Sequence, residues 1–308
     1  MIWGDKMNFI TALNQVVILF AIMLVGFFAR KKKILDQATN HGFTEFLLNV
    51  TIPFTIISSF NQSLQKDVLF NASLVFIFSF SIHLLSIFIG QLLYCRYEND
   101  IKKVLWFTAV FANCAFMGFP VVESIYGKVG VLYGSVYTIP FNLFVWTFGQ
   151  ILFSGKRDIR TIKNAVLNSS MAAVVIGVAV LLSPVKLPLV LSKVIDMLGS
   201  LTTPLSMIIV GSMLAEVKLK ELFSGLYIYY STVVRLFIIP LLVLFILKSI
   251  GLTGTLLGVC VILTAMPTAS FSVIFAEKFG GNVLIASRCV FFSTAVSIIT
   301  IPIILLLI

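Results

Sequence analysis

Asn113-Cys114-Ala115-Phe116-Met117-Gly118-Phe119-Pro120 and Thr264-Ala265-Met266-Pro267-Thr268-Ala269-Ser270 decide the fold of this chain. Each sets a proline among small and polar residues, inside a stretch otherwise apolar enough to cross a bilayer. A backbone group freed there is costly unless something satisfies it. Such breaks persist where backbone lines a cavity, and breaks at matching places in two halves of a chain point to the binding site of a secondary transporter.

Outward from the breaks, the composition is that of a membrane protein. The 308 residues are 59% hydrophobic and 11% charged, with a mean hydropathy of +1.09. Soluble domains carry roughly 45–50% apolar residues. No charge run, linker or low-complexity tract sets off a soluble domain. The stretch from Phe9 to Ala29 is too long for a signal-peptide core and ends in Arg30-Lys31-Lys32-Lys33, a stop-transfer pattern, so it reads as a first span. Windows of about 20 residues place spans over 9–29, 38–60, 68–94, 104–124, 131–153, 165–183, 190–214, 225–247, 254–276 and 283–307, an expected ten.

Loops after odd-numbered spans hold 14 Lys and Arg residues, among them Arg96, Lys103, Lys156, Arg157, Lys218 and Lys278, against 6 on the opposite side. The positive-inside rule then puts those loops in the cytoplasm of a cell-membrane protein and both termini outside. This bias accounts for the net charge of +10. No basic face interleaved with aromatics appears, so nucleic acid is not an expected partner; the lipid bilayer is.

An internal repeat runs through the spans. Thr51-Ile52-Pro53 recurs as Thr202-Thr203-Pro204, Pro120 recurs as Pro267, and Val131-Leu132-Tyr133-Gly134-Ser135 echoes Val283-Leu284-Ile285-Ala286-Ser287. Spans 2, 4 and 5 thus correspond to 7, 9 and 10. A repeat of five spans is odd, so its second copy enters from the opposite side. The expected fold is an all-α polytopic membrane protein of two inverted five-helix repeats, 1–153 and 165–308, joined by a cytoplasmic linker, 154–164, with broken helices 4 and 9 crossing.

Several polar residues in the spans admit two readings. Asn113 donates its amide to a cargo carboxylate or caps freed carbonyls, or else it glues helices together. Pro120 and Pro267 are expected to open the second half of each broken helix, aiming free N–H groups at the crossing; ends of that kind bind carboxylates. Arg235, near the middle of span 8, is either the cation for a substrate carboxylate or a structural donor to the carbonyls of a broken helix. His83, its counterpart in span 3, is either a hydrogen-bonded core histidine or a proton or substrate group. Glu123 either favours a positive helix end or couples protons. Arg288 either snorkels to the cytoplasmic interface or lines the inner mouth of the path. Thr268 and Ser270 follow the second break, where their hydroxyls face cargo or bond their own helix.

Cys95, Cys114, Cys260 and Cys289 lack metal-ligand spacing. There is no His-Glu-x-x-His, no Gly-x-Ser-x-Gly elbow and no phosphate-cradling loop. Neither an enzyme nor a resident cofactor or metal is expected.

The string Asn113-x-x-Phe116-x-Gly118-x-Pro120, the run Met266-Pro267-Thr268-Ala269 with Ala276-Glu277-Lys278-Phe279-Gly280, and Thr203-Pro204 with Gly211-Ser212-Met213-Leu214 resemble the auxin efflux carrier family. The resemblance covers nearly the whole chain. It implies a scaffold of spans 1, 2, 6 and 7 that mediates homodimerisation, and a transport unit of spans 3–5 and 8–10 that moves like an elevator. By the same resemblance Gly118, Tyr137 and Asn142 face the site. The long cytoplasmic loop of the plant exporters is absent, which argues for a compact prokaryotic carrier. The expected function is secondary transport of a small organic anion, a malate-like dicarboxylate foremost. The alternatives are export of an amphipathic monocarboxylate, or a membrane sensor that binds a ligand without moving it.

Overall fold

The computed structural model describes residues 2–61, 66–155, 168–183, 187–215, 225–279 and 281–308, with side chains from residue 14 on, Lys66 excepted. The linker beyond Gly155, and the cations Lys156, Arg157, Arg160, Lys163, Lys186, Lys218 and Lys220, lie outside the described residues. In chain order the helices are α1 (Ile2–Lys31), α2 (Gln37–Phe46), α3 (Ile52–Phe60), α4 (Lys66–Tyr94), α5 (Asn99–Val110), α6 (Phe119–Phe144), α7 (Gln150–Ser154), α8 (Ser169–Leu182), α9 (Leu189–Ser200), α10 (Thr202–Ala215), α11 (Leu226–Val233), α12 (Ile239–Ser249), α13 (Gly254–Ala265), α14 (Phe271–Phe279) and α15 (Val283–Leu307). No strand occurs among the described residues beyond one isolated bridge, Ala112 with Thr268.

Among the described residues, seven helical runs are long and apolar enough to cross a membrane: Asn14–Lys31, Gln37–Phe60, Asp67–Tyr94, Cys114–Ser154, Leu189–Ala215, Leu226–Ser249 and Val283–Leu307. Ten were expected, and the difference has physical causes. The region expected as spans 4 and 5 is a short α5, a break, and one long helical run. That run is interrupted only by Gly127, whose φ of 59° lies where glycine is favoured. Expected span 9 is cut at its break into α13 and α14, and described span 6 is the 14 residues of α8.

Proline sets the local geometry elsewhere. A π-helical turn, Leu47–Thr51, precedes Pro53, and another, Val234–Ile238, precedes Pro240. A proline inside a helix removes one ladder bond and crowds the preceding turn, and widening that turn accommodates the ring.

The chain divides into two compact units. The first comprises Met1–Val75, Ala115–Val136 and Leu167–Glu216. Here α1 lies against α10 with backbone nearly touching backbone. A Cβ at Gly26 would collide with the Ile208 carbonyl, and one at Gly211 with the Met23 carbonyl. The repeated Thr-x-Pro segments meet in this unit, where Thr55 Oγ1 stands 2.6 Å from Thr202 Oγ1 and donates to the Gly199 carbonyl at 2.8 Å. Lys128 pairs with Asp196 at 2.7 Å, and Ser58 donates to the same carboxylate oxygen. Val17, Ile18, Leu24, Val25 and Phe28 form an exposed apolar face on α1, as lipid contact requires.

The second unit comprises Phe76–Cys114, Tyr137–Val166 and Val217–Ile308. Its interior is rich in rings: Phe107 lies against Phe111, Phe153 and Phe275, and Trp146 against Phe271 and Phe275.

Candidate functional site

In the second unit α5 ends at Val110 and the chain becomes extended at Phe111 (φ −105°, ψ 113°). Likewise α13 ends at Ala265, and Met266 is extended (φ −63°, ψ 150°). The two breaks cross here as a short antiparallel bridge. Asn113 N–H donates to the Pro267 carbonyl at 2.7 Å, and Ala269 N–H donates to the Phe111 carbonyl at 3.0 Å. Each break supplies the partner that the other's missing helical bonds require, so the polar backbone survives at membrane depth.

Three expectations are corrected by this geometry. Pro267 does not open a helix; it lies in the non-helical stretch between Met266 and Ser270, and α14 starts at Phe271. Asn113 does not lie on a helix two turns before Pro120, because Phe111–Asn113 leaves the helix in order to pair. Pairing across the crossing outweighs proline's preference for the first helical turn. Pro120 does not open its helix either: the helical run begins at Cys114 with the π-helical turn Cys114–Gly118, and Pro120 follows within that run as the second residue of α6.

Arg235 sits in the π-helical turn ahead of Pro240, with only 1% of its surface exposed. Its Nε donates to the Met266 carbonyl at 3.2 Å, and one terminal nitrogen donates to the carbonyls of Ala109 at 2.8 Å and Val110 at 3.4 Å. The other terminal nitrogen donates to the Thr264 carbonyl. One guanidinium therefore satisfies the last carbonyls of both helices that lead into the crossing, where the helix dipoles favour a cation. Of the two readings of Arg235, this geometry is that of the structural donor. Among the described residues it is the only buried Lys, Arg, Asp or Glu.

A polar chain continues from the crossing. Thr264 Oγ1 donates to the Cys260 carbonyl and lies 3.0 Å from the Tyr137 hydroxyl, which donates to it; the Tyr137 carbonyl accepts from Ser79 Oγ at 2.7 Å. His83 Nδ1 lies 2.7 Å from the Ser79 carbonyl, which can only accept, so Nδ1 carries the proton. The imidazole is stacked on Phe144 and walled by Phe111, Tyr137 and Phe141. Thr268 is held through its backbone N–H, which donates to Ser293 Oγ at 3.1 Å. Asn142 Nδ2 donates to the Thr138 carbonyl of its own helix.

The structure thus brings Asn113, Tyr137, Arg235, Pro267 and Thr268 together around the crossing, with His83 joined through Ser79. Ser270 is half-buried at the start of α14, and Arg288 is half-buried in the second turn of α15. Gly118, Pro120 and Glu123 belong to the first unit, where Glu123 Oε2 accepts from Thr203 Oγ1 at 2.7 Å. Sequence reasoning missed Ser293. Its signal was available, because Ser293, Thr294, Ser297 and Thr300 form a buried polar stripe at helical spacing along α15.

Comparison with known proteins agrees with this architecture. A model described as membrane transport protein matches residues 11–165 and 158–305. An uncharacterized transporter of Methanothermobacter thermautotrophicus is 25% identical over 307 residues, covering 96% of this chain and 98% of that protein. The uncharacterized transporter MJ1031 of Methanocaldococcus jannaschii is 19% identical, covering 94% of this chain and 96% of that one. The uncharacterized transporter YfdV of Escherichia coli is 22% identical, covering 85% of this chain and 86% of that one. With apolar helices throughout and both halves matched, the chain is a multi-pass membrane protein that belongs to the auxin efflux carrier-like membrane transport protein family.

Proposed function

We propose that this protein is a secondary carrier that moves a small organic anion across the cell membrane by alternating access. The observation that carries the reading is the crossing itself, two unwound segments paired through their backbones and backed by a buried guanidinium that has no carboxylate partner among the described residues. A fixed positive charge and polar backbone inside a low-dielectric span suit a carboxylate and repel a cation. We read the chain as ten spans in two inverted repeats, with both termini outside, forming a homodimer through spans 1, 2, 6 and 7 while spans 3–5 and 8–10 carry the cargo. A malate-like dicarboxylate fits the resemblance. The rings of Phe111, Phe141 and Phe271 beside the crossing favour an amphipathic monocarboxylate as the second reading.

Uptake of labelled mono- and dicarboxylates into vesicles holding the purified protein tests the proposal. Saturable uptake of at least one acid is the expected result; binding without uptake would make the protein a sensor. In the same vesicles Asn113→Ala should lower uptake about tenfold or more while membrane insertion stays normal, since the change leaves apolar length intact. Uptake at the wild-type rate would detach Asn113 from the path. For topology, a cysteine at Gly155 should react only with reagent applied from the cytoplasm, and a tag after Ile308 should be reached from outside. Reaction of both from one side would refute the inverted arrangement.

A further inference from the structure

Four successive cations, Arg30, Lys31, Lys32 and Lys33, close α1, and the structure gives them two different tasks. Arg30 is half-buried and tied to its own chain, its Nη1 donating to the Leu35 carbonyl at 2.9 Å. Lys31, Lys32 and Lys33 are exposed, and no carboxylate of a described residue pairs with any of them. Asp36, the carboxylate nearest in sequence, is engaged as the cap of α2, where it accepts from Thr39 N–H at 2.7 Å. Lys33 holds the left-handed position (φ 60°) that ends a helix and that glycine usually fills, and beyond it Ile34 N–H donates to the Ala29 carbonyl. The helix end is thus fixed, and it presents three ammonium groups without an anion.

The face that leads up to them is apolar. Val17, Leu24 and Phe28 are exposed and recur at steps of seven and four, so they share one side of α1. Lys31 and Lys32 follow Phe28 at three and four residues on that side, and Lys32 N–H still makes a helical bond to the Phe28 carbonyl. From Val17 to Phe28 the helix rises about 16 Å, close to one leaflet's share, about 15 Å, of the hydrocarbon core. The stripe is therefore one leaflet deep and ends in cations at headgroup level. Ile34 beside them is 70% exposed.

We propose that this stripe and its lysines bind an anionic phospholipid, its acyl chains along Val17, Leu24 and Phe28 and its phosphate at Lys31 and Lys32, with Lys33 adding charge. Each lysine near an anionic membrane surface strengthens attraction about fivefold. A second copy of this chain set against the same face would bring like charges together at one depth, so charge favours the lipid there. Because α1 lies backbone to backbone on α10, a lipid that holds the end of α1 stabilises the first unit by linkage. The site is independent of the cargo.

The test titrates purified protein in neutral detergent with phosphatidylglycerol, with phosphatidylcholine of the same chains, or with glycerol phosphate alone, and reads thermal stability and lipid retained per protein. Phosphatidylglycerol is expected to raise stability saturably, with phosphatidylcholine and glycerol phosphate well behind. Lys31→Gln, Lys32→Gln and Lys33→Gln together should move the midpoint to about tenfold to a hundredfold more lipid, and arginine at the same three positions should restore it. The control Arg96→Gln, Lys193→Gln and Lys278→Gln removes equal charge from exposed positions elsewhere and should leave the midpoint in place. An unmoved midpoint in the first triple variant overturns the site. So does an equal shift in the control, which would make the effect one of net charge, or equal protection by phosphatidylcholine or by glycerol phosphate. Efficient cross-linking of two copies through a cysteine at Leu24 in the membrane would also overturn it, since the face would then belong to a dimer.

Discussion

Arg235→Met should abolish uptake and reduce folded protein in detergent severely, the largest loss expected of any single change in the second unit. Methionine fills much of the same volume but donates nothing to the carbonyls of Ala109, Val110, Thr264 and Met266. A buried acceptor left unsatisfied costs about 1–3 kcal/mol, so even two such losses displace the folding equilibrium by orders of magnitude. Arg235→Lys should keep a minor folded fraction, since an ammonium reaches fewer of these acceptors and lacks the planar fork. Size-exclusion profiles and thermal stability of the three proteins decide the matter. Arg235→Met folded as well as wild type would show that the carbonyls find other donors.

Gly211→Leu is the counterpart in the first unit. The Cβ of any larger residue at 211 runs into the Met23 carbonyl, and backbone cannot yield as a flexible side chain does. Packing in a membrane depends on such close approach, because lipid offers no hydrophobic drive between helices. Leucine there should separate α1 from α10 and cost about 3 kcal/mol or more, at the upper end of overpacking. Gly42→Leu meets open space and serves as the control. Equal thermal stability of the two variants would contradict the backbone contact.

Much of this was legible in the sequence, and the reasons for the rest are physical. Hydropathy alone located the long spans, since runs such as Asp67–Tyr94 have nothing to interrupt them. The two breaks were legible because proline beside small and polar residues has few uses inside a bilayer. What each break does once it meets the other was not. Local rules place Pro267 at a helix start, and only a partner 154 residues away, Asn113, explains why it lies outside one. Arg235 posed the same difficulty, for its acceptors are backbone carbonyls, present at every position, and no local pattern distinguishes the four it uses. Ser293 was legible in principle from the spacing of hydroxyls along α15, but its role as acceptor for Thr268 N–H belongs to the fold.

The bridge between Asn113 and Pro267 and between Phe111 and Ala269 is made by main-chain groups, which every residue except a proline donor can supply. The platform of the site is therefore insensitive to most changes of side chain, and selectivity can drift without risk to the framework. For engineering, this separates two kinds of position. On the proposed carrier reading, side chains beside the crossing, such as Tyr137 and Thr268, are the positions to vary in libraries, whereas a proline at Asn113 or Ala269 deletes a donor and breaks the bridge itself.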